Sequence, residues 1–322
     1  MSASAWVDTP AIVVDEDRLL RNIARMQEHA SKNHVNLRPH AKTHKSIDIA
    51  KMILDAGAVG LTVSKPLEAR KFIEAGFRDV TLAYPVVVED KLDLTIRCAQ
   101  QHDATLNLTV ESFVGVQVAA SSAAKNNHVL NVLIHVDVGH VAWHRSIQFT
   151  SAMVKLRPGN YIFQDRTPVR TGVSSVQNVS LTVVATVVSS NAHYFIIDAG
   201  SKVLSTDMYC SEHGSFGSDC YGLVFREQDF DQVTTEPTAF EWALPSGVRT
   251  VCFQIKKLSE EHGWVAHAPT LGPSASPQVG DRVTVLVNHS CPVVNLANRL
   301  SVKTKDGALS KHIELISRGC CQ

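Results

Sequence analysis

The strongest constraint on the fold is a recurring change of period. From Asp15 onward, stretches with apolar residues at helical spacing alternate with short extended stretches, and the alternation continues to Gly139. Asp15 to Asn33 places Leu19, Leu20, Ile23 and Met26 at helical spacing, and VNLRPHAK follows as an extended segment. SIDIAKMILDAG, PLEARKFIEAG, EDKLDLTIRCAQQH and FVGVQVAASSAAKNN then read as helices. AVGLTVSK, DVTLAYPVV, ATLNLTVES and LNVLIHVDVG read as the strands between and after them. Pro66 opens one of these helices and Gly76 follows its end, the asymmetry that helix ends favour. Strands joined by helices in this way predict a parallel sheet with crossover helices, open or closed into a barrel. Apolar-rich strands such as NVLIHVDV suit burial on both faces.

After Gly159 the pattern changes. NYIFQD, LTVVATVVSS, HYFIIDAG, RTVCFQIKKL and RVTVLVNHS read as strands separated by Gly, Pro, Asp and Ser, with few helices between them. The fold class is therefore α/β: a partial, TIM-type βα barrel over 12–152, then a mainly β domain over 153–322. The alternating part is short. A closed eight-stranded βα barrel takes about 250 residues and rarely fewer than about 200, so the sheet is either open or a barrel that lacks its last units.

Composition removes several functions. Formal net charge is zero and the pI is about 7.2, so nothing favours nucleic acid or an anionic membrane as partner. No apolar run reaches the roughly 20 residues of a membrane helix. The first residues lack a basic start and an apolar h-region, so no signal peptide is expected and the cytoplasm is the expected compartment. Seven cysteines, an odd number scattered along the chain, do not form a disulfide framework. No G-x-G-x-x-G, phosphate-binding P-loop or G-x-S-x-G motif is present, which removes the usual dinucleotide, nucleotide and serine-hydrolase readings.

Two short motifs carry chemistry. RPHAKTHK (Arg38 to Lys45) places Lys42 just past an extended stretch, among Arg38, His40, His44 and Lys45. Ends of parallel strands are where sites form in such sheets. A Schiff-base lysine must be neutral to attack a carbonyl, and neighbouring cations together with desolvation favour that state. The plain alternative is a solvated lysine at a strand end. NHSCP (Asn288 to Pro292) places His289 and Cys291 two apart in a strand-like run, so both side chains are expected on one face. Imidazole and thiolate suit a soft divalent metal, and two protein donors suit an open site rather than a closed structural one. The alternative is a core cysteine beside a strand-end histidine. SEEHG (Ser259 to Gly263) offers further donors or a charged turn, and Asp137, Tyr161, Asp165 and Asp198 are candidate site groups or turn and packing residues.

The chain resembles the D-serine dehydratase and D-threonine aldolase family of fold-type III, alanine-racemase-like enzymes. The resemblance rests on DTPAIVVDEDRLLRNI, LRPHAKTHKS, VGLTVSKPLEA, VTLAYPVV, IHVDVG, LRPGNYIFQD, FIIDAGSKVLS, LSEEHG and VNHSCPVVNL, which together reach both ends of the chain. It implies an N-terminal βα barrel with a C-terminal β domain, pyridoxal 5'-phosphate as cofactor and a divalent metal, zinc first. Lys42 would be the catalytic lysine that forms the Schiff base, with His40, Arg38, Asp137 and Tyr161 around the cofactor and His289 and Cys291 on the metal. The activity implied is dehydration of D-serine or another D-3-hydroxyamino acid to pyruvate and ammonia. The family's aldolases usually carry an acidic residue where Cys291 stands, so His-x-Cys points to the dehydratases. Retro-aldol cleavage to glycine and an aldehyde is the alternative. A homodimer acting on a small D-amino acid is the expected assembly. One departure stands out: after DVG the chain runs almost directly into KLRPGNY, without the further βα units and glycine-rich phosphate loop of the family. A shortened, inactive member is therefore a further alternative, and a cofactor carrier is disfavoured by the large β domain.

Overall fold

The computed structural model describes residues 7–134, 155–208, 216–243, 249–309 and 311–322. The chain divides into two compact units, each assembled from separate segments: Ile23–Gly159 with Ile316–Gln322, and Met1–Asn22 with Asn160–Leu315. Strand β1 (Ala11–Asp15) and helix α1 (Glu16–Lys32) open the chain, and the division falls inside α1.

The first unit is the α/β part. Strands β2 (Asn36–Leu37), β3 (Leu61–Val63), β4 (Asp79–Leu82), β5 (Thr105–Val110) and β6 (Asn131–Ile134) alternate with helices α2 (Ile47–Asp55), α3 (Pro66–Glu74), α4 (Glu89–Gln101) and α5 (Phe113–Lys125). β3 to β6 pair in parallel in sequence order. β2 extends the array, because His40 forms a parallel bridge with Thr62, and on its other side β2 pairs in parallel with β7 (Lys155–Leu156). All five strands read from the sequence are present, and the array is a partial βα barrel. Leu61, Thr62, Val63, Val80, Thr81 and Leu82 have no exposed surface, which is why these strands carry apolar runs instead of alternation. The helices lay Ala50, Ala69, Phe72, Ile73, Leu92, Ile96 and Ala99 against them. Phe72 meets Phe77 edge-on at 5.5 Å between ring centroids, and truncating such a ring to Ala costs about 3–5 kcal/mol. Gly76, at φ 101°, ends α3 where a side chain would be strained.

The second unit is mainly β. Strands β8 (Leu181–Ser190), β9 (Tyr194–Ile197), β10 (Gly222–Arg226), β11 (Glu241–Ala243), β12 (Arg249–Leu258), β13 (Gly263–Ala266) and β14 (Arg282–Val287) follow. Six of them close a barrel in the order β14-β10-β12-β13-β9-β8, with β8 pairing back to β14, every pair antiparallel. β1 pairs antiparallel with β8 and parallel with β15 (Arg299–Lys303), which pairs with β16 (Lys311–Glu314). Leu223, Phe225, Phe230, Cys252 and Leu286 form one buried cluster, and Phe195 meets Phe253 edge-on at 5.3 Å.

Two expected strands differ. NYIFQD is a short 3-10 turn at Asn160–Ile162, with Gln164 in the left-handed region at φ 57°. RVTVLVNHS stops being a strand at Val287, and helix Ser290–Leu296 begins two residues after Asn288. Pro292 fits there, because the first-turn amides of a helix lack intrahelical partners.

Candidate active site

The α/β unit positions Lys42. Residues 38–40 run between two neighbours: the Arg38 amide donates to the Leu156 carbonyl and the His40 amide to the Pro158 carbonyl, while the Thr62 amide donates to the Pro39 carbonyl and the Ala41 amide to the Thr62 carbonyl. The chain then leaves the sheet in a turn closed by the Lys45 amide on the Ala41 carbonyl at 2.8 Å. Lys42 stands exposed on that turn, at the C-terminal end of a parallel strand. Among the described residues no carboxylate pairs with its amine.

The surrounding charges are not those read from the sequence. Arg38 is buried and gives its guanidinium to Asp79 through two bonds of 2.7 Å, with Asn107 donating to the same carboxylate at 2.8 Å. Lys45 is buried against Glu68 at 3.1 Å and donates to the Ser317 carbonyl at 3.2 Å. Burial holds both histidines in the neutral form. Burial first, then the charges of Lys42, Arg157, His44 and Lys45, push His40 down to about 3. Burial pushes His44 down to about 3, and the Ser46 amide donates to its Nδ1 at 3.2 Å. His40 Nδ1 faces the Lys42 amide at 3.4 Å. Gly159 lies under this turn: a Cβ there would stand 2.5 Å from Thr43 Oγ1 and 3.4 Å from His40 Cβ.

The β unit holds the other motif. His289 caps the helix α9 (Ser290–Leu296), the ninth among the described residues after α6 (Arg166–Arg170), α7 (Ser201–Leu204) and α8 (Glu227–Phe230), and Cys291 lies in its first turn. His289 and Cys291 are therefore brought together by a strand-to-helix turn and not by a shared strand face. The imidazole is half exposed, its Nδ1 is 2.8 Å from Asp207 Oδ2, and the Cys291 thiol hydrogen-bonds to it. These two bonds, Cys291 first, raise His289 to about 9 against the opposing effect of burial. Among the described residues no group of three or more His, Cys, Asp and Glu side chains is placed to hold a metal, so the pair offers two donors of an open set.

Three residues of this unit take their role from the same turn. Asp165 is fully buried, and burial pushes its carboxyl up against bonds from the Ser290 amide, Asn160 and the Thr167 amide. Asn288 and Ser290, on either side of His289, are buried as well. Tyr161 is buried, burial raises its phenol, and its hydroxyl has no hydrogen-bond partner among the described residues. Asp165 and Tyr161 are among the candidates from sequence and Asp207 is not; its one signal is a carboxylate shortly after the strand-ending turn IIDAGSK. SEEHG is an exposed hairpin turn, closed by the Ser259 amide on the His262 carbonyl at 2.9 Å. Asp198 bridges Thr9 and the Thr186 amide at 2.6 and 2.8 Å, a packing role. Asp137 lies outside the described residues.

Comparison with known proteins brings two family models onto the two parts. "Alanine racemase, N-terminal domain" matches residues 14–145 and "Putative serine dehydratase domain" matches 180–303. D-threo-3-hydroxyaspartate dehydratase of Delftia sp. (strain HT23) is 25% identical over 368 residues, covering 88% of this chain and 91% of that protein. The aligned length exceeds the 322 residues of this chain, so part of that relative faces no residue here. D-threonine aldolase of Arthrobacter sp. is 35% identical over 135 residues, 42% of this chain and 35% of that protein. The solved structure of the Delftia enzyme superposes with a TM-score of 0.75 at 23% identity, over 96% of this chain and 97% of that one, a likeness that shows the fold. Two further structures, of D-threo-3-hydroxyaspartate dehydratase, carry Ala in place of a His and of a Cys two positions later, the Cys variant in a metal-free form.

Proposed function

Since the chain belongs to the D-serine dehydratase and D-threonine aldolase family of alanine-racemase-like enzymes, we propose that it is a pyridoxal-phosphate- and zinc-dependent lyase. Its reaction is the dehydration of a D-3-hydroxyamino acid, D-serine first, to pyruvate and ammonia. The observation that carries this reading is the thiol of Cys291 bonded to the imidazole of His289, a soft donor pair where a harder carboxylate would favour manganese or magnesium. The D-threo-3-hydroxyaspartate dehydratase variants with Ala at a His and at a Cys two positions apart match that spacing.

The residues present fit both groups. Lys42 is an exposed amine without a carboxylate partner among the described residues, as a carbonyl-binding lysine requires. Tyr161 keeps a buried hydroxyl that no described residue satisfies, and such groups are rarely left unpaired. Lys42 and His40 would hold the cofactor, and Tyr161 is assigned to it from the family resemblance alone. Arg38 supports the strand beneath Lys42 by its pairing with Asp79, and Asp137 is assigned to the cofactor from the family resemblance alone. His289 and Cys291 would hold the metal. When bound, pyridoxal phosphate supplies an electron sink for charge developing at Cα, and the divalent metal supplies Lewis acidity to a departing hydroxyl. Lys42 Nζ takes the proton from Cα as general base. Neutral His40 keeps its ring nitrogen available to the Lys42 amide and adds no charge beside the amine. The elements of water leave from Cα and Cβ, and water re-enters when the released enamine hydrolyses to pyruvate and ammonia.

The test uses the purified chain with added pyridoxal phosphate and zinc, alongside Lys42→Ala. An absorption band that borohydride fixes in the wild-type chain and not in the variant supports the cofactor assignment. Pyruvate from D-serine, lost with a chelator and restored by zinc, supports the dehydratase. Glycine and acetaldehyde from D-threonine in place of pyruvate would move the assignment to the aldolases. A band equal in both proteins, or none, would refute the enzyme reading and leave a shortened, inactive relative.

A further inference from the structure

We infer that Asp165 is a positioning residue that presets His289 and Cys291 for a metal ion, by clamping the two residues that flank His289. The inference rests on the metal reading above. Burial along the motif alternates: Asn288 is 5% and Ser290 0% exposed, while His289 and Cys291 are partly open to solvent. The two donors thus project from a segment whose intervening residues are fixed from below.

The fixing is complete on the buried side. Asp165 Oδ2 accepts from the Ser290 amide at 2.9 Å, in the peptide that follows His289 and precedes Cys291. The same oxygen accepts from Asn160 Nδ2 at 2.6 Å, and Asn160 Oδ1 accepts from Ser290 Oγ at 2.6 Å. Asp165 Oδ1 accepts from the Thr167 amide at 3.0 Å, and Thr167 Oγ1 donates to the Asn288 carbonyl at 3.2 Å. Arg166 donates to Asn288 Oδ1 at 3.2 Å, and Asn288 Nδ2 donates to the carbonyls of Cys220 at 2.7 Å and Asp207 at 3.0 Å. Asp207 is the residue whose carboxylate meets His289. One fully buried carboxylate therefore sets the peptide between the two donors, and the residues that follow it set the peptide before them.

Such support matters because an unanchored turn would have to be ordered when the metal arrives, and backbone and side-chain ordering opposes binding. Groups that orient metal ligands from behind change metal affinity by about 10–100-fold when removed. Asparagine in place of Asp165 keeps the shape but loses the charge and one of the two acceptor oxygens, so either the Ser290 or the Thr167 amide loses its partner.

The experiment titrates the purified full chain with cobalt(II) and zinc alone, without cofactor, and reads the thiolate charge-transfer band of cobalt and zinc affinity by competition with a chelator. Asp165→Asn is expected to weaken zinc by about 10–100-fold while the chain stays folded by circular dichroism. Asp198→Asn, which loosens the same unit at the Thr9–Thr186 bridge, is expected to leave metal affinity unchanged. A folded Asp165→Asn with wild-type affinity overturns the inference, as does equal weakening in Asp198→Asn. If Asp165→Asn does not fold, Thr167→Val decides: several-fold weaker binding supports the clamp, and wild-type binding overturns it. A wild-type chain without the thiolate band, or one bound equally by Cys291→Ala, would refute the metal reading itself and the clamp's purpose with it.

Discussion

Glu68→Ala is the substitution with the largest calculable effect near Lys42. Glu68 has no exposed surface, and its carboxylate accepts from Lys45 Nζ at 3.1 Å, the Ser64 amide at 2.8 Å and Ser317 Oγ at 3.2 Å. Removing one member of a buried ion pair leaves the other charge uncompensated, at about 3–5 kcal/mol. The Ser64 amide loses its acceptor as well, at about 1–3 kcal/mol. A loss of roughly 4 kcal/mol or more is a large part of the 5–15 kcal/mol that holds a domain folded. The effect has a local reporter. Ser317 is tied to Lys45 by side chain and backbone, and Cys320, 7% exposed, lies in the same short tail. In a Cys321→Ser background, with labelling of Cys320 read on its own peptide by mass, Glu68→Gln keeps the shape and removes the charge. A loss of about 2 kcal/mol then speeds labelling of Cys320 by roughly 30-fold, at 1.4 kcal/mol per decade. The double change Lys45→Met with Glu68→Leu replaces the pair by apolar groups and is expected to recover most of the stability. Unchanged Cys320 labelling in Glu68→Gln, or a double variant no more stable than Glu68→Ala, would refute the reasoning.

Gly60→Ala is expected to destabilise the α/β unit by about 1–3 kcal/mol, because a Cβ there would stand 2.7 Å from the Asp79 carbonyl and run into the Arg38 guanidinium; urea unfolding checks this. His44 has a pKa depressed to about 3 by burial, so the unfolded chain binds more protons below its ordinary value of about 6.5. Stability from this residue is full above pH 6.5 and falls by at most about 1.4 kcal/mol per pH unit down to pH 3; a His44→Gln variant with the wild-type slope between pH 7 and 5 would show that another group is responsible. Cys291→Asp exchanges a soft for a hard donor, and its preference is expected to move from zinc toward manganese or magnesium; isothermal titration with each ion reads the change.

The βα part was legible because its information is local. The inner strands β3 to β5 are buried along most of both faces and each helix carries a stripe at spacings of three and four, so periodicity finds these elements, while β6 is equally apolar yet leaves Val132 45% exposed. Helix α5 is the instructive exception. Its buried side is Gly115, Ala119 and Ser122, while Phe113 is 75% and Val114 55% exposed. Helical period marked the element there, and the large residues pointed to the wrong face. The β unit was less legible because its pairings are remote: β1 finds partners at Thr182 and Ser301, far along the chain. Nothing near Ile12 records that choice.

The same distinction explains the site. Lys42 was identified by position, at a strand end, and that holds wherever its neighbours' charges go. The cations read around it are themselves paired, Arg38 with Asp79 and Lys45 with Glu68, two pairings that a linear string does not display. NYIFQD and VNHS were read as strands for a related reason. Each has strand composition, yet Asp165 in the first and Ser290 in the second are worth more to each other than to any ladder. A fully buried carboxylate with amide donors from two separate segments cannot remain in a regular strand, where its oxygens would face an apolar layer. The pairing bends both segments at once, and the bend turns His-x-Cys from an alternating strand pattern into a cap and first turn with its donors in contact. What could have been read is the local trace of that event: Pro292 directly after Ser290 and Cys291 is poor in a ladder and suited to a helix start. The chemistry of the motif was thus visible from residue type, but its geometry was decided by a carboxylate more than a hundred positions away.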